Sequence, residues 1–100
     1  MSNEIQLEID AGRGVRASRL LEDELLAESF KALEDAYTTA WRSSFVGDEK
    51  TREKLFLAIN IVGKVKEHLT SVVNRGKLAS AELKQIADAA ERKKLFPYRR

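Results

Sequence analysis

The sequence predicts an all-α protein: an antiparallel hairpin of two long helices, a shorter third helix, and a β-like arm at the N-terminus. Three observations carry that reading. In residues 50–76, KTREKLFLAINIVGKVKEHLTSVVNRG, the positions Leu55, Ala58, Val62, Val65, Leu69 and Val72 recur at alternating spacings of three and four, the repeat of a helix that packs along a seam. Residues 24–44 repeat the pattern through Leu26, Phe30, Leu33, Tyr37, Ala40 and Ser44. One Pro and five Gly in 100 residues leave only a few places for the chain to turn.

Taken in order, residues 3–10 (NEIQLEID) alternate Ile5, Leu7 and Ile9 with polar neighbours, a strand pattern. With no other strand to pair with, this segment is expected to be a mobile arm or to join another chain. Gly12 and Gly14 flank Arg13 as a hinge; their spacing lacks the strand–loop–helix setting of a phosphate loop. Helices are predicted at about 15–22, 24–44, 49–75 and 79–94, so residues 1–14 form the arm, 15–94 the helical domain and 95–100 a tail.

Val15, Leu20 and Leu21 face inward in the first of these helices. Asp23 suits the N-cap of the second, with Glu24 in its first turn. The hairpin core is then Leu26, Phe30, Leu33, Tyr37 and Trp41 against Leu55, Ile59, Val62 and Leu69. Gly47 releases the first long helix and Asp48 caps the second, and so short a turn makes them antiparallel neighbours. Trp41 and Phe45 should pack near Leu55 and Phe56. Asn74-Arg75-Gly76 reads as a helix end with Gly at C′. A third helix marked by Leu78, Leu83, Ile86, Ala87 and Ala90 would fold back over the central one.

Leu57 and Ile61 widen the central apolar arc to about half the helix circumference, more than one neighbour covers. The flank of Leu57, Ile61 and His68 is therefore the expected contact surface of a homo-oligomer. Lys66 points into the same arc, either snorkelling to water or pairing with Glu34 or Glu28 of another subunit. Charge is lopsided: residues 1–49 carry 11 acidic against 5 basic residues (−6), and residues 50–100 carry 13 basic against 5 acidic (+8). This polarity lets one subunit attract another, and offers a basic end to nucleic acid or an acidic protein.

Nothing in the sequence points to catalysis. There is no Cys, and the single His68 has Lys64, Val65, Ser71 and Val72 at the positions where a metal site needs ligands. No serine sits on a Gly-rich elbow. The expectation is a non-enzymatic protein with no cofactor, metal or catalytic residue. Asn60, Lys64, Lys66, Glu67 and His68 interrupt the central apolar run, so it cannot span a bilayer. The opening Met1-Ser-Asn-Glu has neither a basic start nor an apolar stretch, which suits the cytoplasm. Two segments could dock partners. One is Ile5, Leu7 and Ile9. The other is the basic, aromatic end formed by Arg92, Lys93, Lys94, Phe96, Tyr98, Arg99 and Arg100, suited to phosphate contact and base stacking or to a protein partner.

The segments ALEDAYTTAWRSS and REKLFLAINIVGKVKEHLTSVVNRGKLA carry a further pattern: Leu25-Leu26, Trp41 before the turn, Asp48 with Arg52-Glu53 after it, then His68-Leu69 and Gly76-Lys77-Leu78. Over residues 20–85 this resembles a class of short helical proteins that tailed phages and prophages encode near terminase and portal genes. The resemblance implies an oligomeric accessory of DNA packaging or virion assembly, comparable in role to a small terminase subunit. It implies phage structural or packaging proteins as partners, and a place in the host cytoplasm or the virion. The chain departs from small terminases in lacking a helix-turn-helix with a basic recognition helix, which leaves any DNA contact to the tail.

Overall fold

The computed structural model describes residues 2–95. Among them the chain forms three α-helices and no strand: α1 (Ser2–Glu22), α2 (Glu24–Ser43) and α3 (Glu49–Leu95). The all-α class holds. The β-like arm does not, because residues 3–10 and the glycine hinge all lie inside α1. Glu, Gln and Leu are good helix formers, and the Gln6 side chain donates to the Asp10 carboxylate at 2.9 Å across one turn. In a helix, Ile5 and Ile9 share one face while Leu7 turns to another, so the alternation that suggested a strand splits in two.

The boundaries are set by aspartates. Asp23, extended at φ −67° and ψ 121°, accepts the Leu26 N–H at 2.9 Å and is the single residue between α1 and α2. Asp48 accepts the Thr51 N–H at 3.3 Å and starts α3. No glycine takes a positive φ among the described residues. Gly47 is therefore not a left-handed stop; α2 ends on extended Ser44, whose N–H reaches the Trp41 carbonyl at 3.3 Å. Gly76 is no stop either, since α3 runs through it for 47 residues. The helices predicted at 49–75 and 79–94 are one.

The chain divides into two compact units, Ser18–Thr70 and residues 2–17 with 71–95. In Ser18–Thr70, α2 and the first half of α3 are antiparallel. Arg52 meets Trp41 near the turn, and Lys66 meets Glu34 farther along. Only Val62 is buried; Leu26, Phe30, Tyr37, Trp41, Leu55, Ile59 and Leu69 are half-buried. Leu33, predicted in this core, is 43% exposed, because Glu34 takes the turn of α2 that faces α3. Phe45 and Phe56 do not close the hairpin end: they are 79% and 58% exposed, and Phe45 lies over Gly47 instead.

In the other unit α1 packs on α3 through small residues. A Cβ on Gly14 would lie 2.7 Å from the Gly76 Cα, and one on Gly76 would lie 2.6 Å from the Gly14 Cα, so the two backbones touch. Ala17, Val72 and Ala79 are buried around this crossing, with Leu7 and Leu83 half-buried. The stripe facing α1 is thus Val72, Gly76, Ala79 and Leu83. Leu78 and Ile86, predicted to mark it, are exposed, as are Val15 and Leu20 of α1.

Candidate functional site

The molecule's buried core is small. Among the described residues Ala17, Val62, Val72 and Ala79 are the buried apolar side chains, and two of them are alanines. Burying a valine contributes about 1.5–3 kcal/mol. The functional potential of the chain lies in what it leaves uncovered.

The predicted contact flank is one such region. Leu57 and Ile61 are 52% and 60% exposed, Val65 and His68 are exposed beside them, and all four lie on the side of α3 away from α2. Lys66 separates from this set. Its Nζ donates to Glu34 Oε1 at 3.1 Å within one chain, so of the two readings, snorkelling to water or pairing with Glu34 or Glu28 of another subunit, the Glu34 pairing occurs, but as a strut of the hairpin inside one chain. With side chains 45% and 36% exposed, the pair is partly screened and contributes well under ~1 kcal/mol. A second apolar region sits at the turn, where Phe45, Val46 and Phe56 are exposed.

At the same turn lies a polar cluster of Arg52 and Ser44 around Trp41, the last of which was expected in the hairpin core. Arg52 stacks over Trp41, its guanidinium carbon 4.5 Å from the ring centroid. Its Nη1 donates to the Trp41 carbonyl at 3.1 Å, to Ser44 Oγ at 2.8 Å and to the Ser44 carbonyl at 3.4 Å. Ser44 Oγ in turn donates to the Trp41 carbonyl at 2.6 Å. A cation on the open carbonyls of a helix C-terminus opposes their negative end of the dipole. The signal was present in the sequence: Trp41 lies three residues before Ser44, the C-cap of α2, and Arg52 one turn after the Asp48 cap. The cluster fixes the hairpin and has the character of a structural clasp.

Of the predicted docking end, Arg92, Lys93 and Lys94 form the exposed last turn of α3. Phe96, Tyr98, Arg99 and Arg100 lie outside the described residues. Beside α1 an open groove of about 400 Å³ runs between Leu7, Asp10, Leu78 and Ala79, with Arg75 and Glu82 at its sides. Its lining carries two carboxylates, Asp10 and Glu82, against one cation, Arg75, and no group of three or more metal-ligating side chains forms among the described residues. No helix among them is long and apolar enough to cross a membrane. No protein-family model matches the chain, and comparison with curated proteins and with solved structures returns no match.

Proposed function

We propose that this is a non-enzymatic helical protein that works as a homo-oligomer, serving a tailed phage or prophage as an accessory of DNA packaging or virion assembly. The observation that carries the oligomer is the unpartnered flank of Leu57, Ile61 and Val65, beside a core of four small or medium side chains. Apolar faces of this extent mark sites of association. The phage setting is supported by the resemblance of residues 20–85. Phage structural or packaging proteins are the partners that setting supplies, in the host cytoplasm or the virion.

Light scattering on the purified chain tests the core claim. A mass that is a multiple of 11.3 kDa supports it, and a monodisperse monomer at micromolar concentration overturns it. The genes flanking this one test the setting: terminase or portal genes alongside support it, and a neighbourhood without virion genes removes it.

A second reading, nucleic-acid binding, is favoured by the exposed Arg92, Lys93 and Lys94 at the end of α3. Counterion release then requires duplex affinity to fall steeply between about 50 and 200 mM salt. An affinity indifferent to salt removes this reading.

A further inference from the structure

The face of α1 turned away from its seat on α3 is open. Ile5, Ile9 and Val15 are 60%, 49% and 51% exposed, and a Cβ on Gly12 would meet nothing within 4 Å. At 3.6 residues per turn Ile5, Glu8, Ile9, Gly12, Val15 and Arg16 share a sector of roughly 120°, with Gly12 on its midline. Counted outward from Gly12 in both directions, this face presents an apolar residue at the third position (Ile9, Val15) and opposite charges at the fourth (Glu8, Arg16).

Such a face is complementary to itself when reversed. An antiparallel copy crossing at Gly12 sets Ile9 on Val15 and Glu8 on Arg16, and two-fold symmetry makes each contact twice. A parallel copy would oppose Glu8 to Glu8 and Arg16 to Arg16. The two charges are not spent among the described residues. No basic residue lies one turn from Glu8 and no acidic residue one turn from Arg16, and neither joins an ion pair among the described residues. A glycine inside a helix weakens it. Gly14 offsets that loss by its backbone approach to Gly76, whereas Gly12 gains nothing from its own chain.

We infer that α1 pairs with α1 of a second copy of this chain, antiparallel, crossing at Gly12, with Ile9 against Val15 and Glu8 against Arg16. The pairing rests on the proposed self-association and names one of its contacts. Two such short faces make a small interface, which places the pair in the weak class, with dissociation in the micromolar range or above.

Sedimentation equilibrium of the full chain from about 5 to 500 μM spans that class. Glu8→Arg and Arg16→Glu each replace two attractions by two repulsions and should weaken the association step roughly 10- to 30-fold. Mixed in equal amounts, the two variants complement each other and should recover wild-type association, as should the double variant. Gly12→Leu should remove the step while circular dichroism keeps its helical signal, because the space above Gly12 is empty in the monomer. Single variants that associate like wild type overturn the α1 pairing but leave self-association standing. Failure of the mixture to recover overturns the antiparallel register. A wild-type chain that stays monomeric over the whole range overturns both this pairing and the oligomer it rests on.

Discussion

Gly14 and Gly76 let two helix backbones approach more closely than any side chain permits, and that contact has a cost that can be measured. An alanine at either position places a methyl carbon under 3 Å from main-chain atoms of the facing helix, where no side chain can swing aside. Gly14→Ala should therefore destabilise the fold by about 1–3 kcal/mol despite the better helix propensity of Ala. Gly63→Ala is the control: its Cβ would meet nothing within 4 Å, so propensity alone acts and the variant should gain up to ~1 kcal/mol. Urea titrations of both read the two signs; equal shifts would show that the crossing does not depend on close approach. Arg52 is the second such residue. Removing its stacking and its three acceptors with Arg52→Ala should cost about 1–2 kcal/mol by the same titration, since the partners are only part-buried. A variant as stable as wild type would reduce the clasp to a surface contact.

At the scale of elements, the sequence made the helices of the hairpin visible and hid the length of the others. The seam of Phe30, Tyr37 and Trp41 against Leu55, Ile59 and Val62 repeats at helical spacing, and Asp23 and Asp48 carry the chemistry of N-caps, so that region could be read from local pattern. Residues 3–14 could not. Their helix is held by a contact with Gly76, far away in sequence, and short-range alternation at Ile5, Leu7 and Ile9 points to a strand unless that contact is known. Gly76 misled for the same reason. A basic residue followed by Gly is also what a helix end looks like, and only the facing Gly14 shows that the glycine is there for proximity. The candidate surfaces were legible in part. Leu57 and Ile61 stand outside the a/d seam and are open, but Lys66 and Glu34 occupy seam-edge positions whose pairing within or between chains no spacing decides.

For the molecule as a whole, an experiment can separate stability from the proposed assembly. Ile61 is 60% exposed on the side of α3 away from α2, so Ile61→Asp should change the stability of an isolated chain by no more than about 0.5 kcal/mol. In an assembly built on that flank the same change buries a carboxylate against apolar side chains, and the particle should fall to smaller species by light scattering with its helical circular dichroism intact. Loss of the helical signal would instead mean that the flank is part of the monomer's own core. Among the described residues Val62 and Val72 are the largest that a single chain buries, while Leu57, Ile61 and Val65 stay exposed for the proposed association to cover.

The meeting of Gly14 with Gly76 also says something about the order in which the protein forms. It closes a loop of 62 residues (76 less 14), twice the 32 that separate Glu34 from Lys66. Doubling a loop adds only about 0.6 kcal/mol of closure entropy, so length alone does not delay it. Its reward, however, rests on backbone proximity and on the burial of small side chains, Ala17, Val72 and Ala79, with Leu7 and Leu83 half-buried beside them. The first helix should thus be the last to dock and the first to leave. In native-state hydrogen exchange, amides of residues 6–16 should open at lower free energy than those of residues 55–66; the reverse ranking would place the nucleus at the glycine crossing.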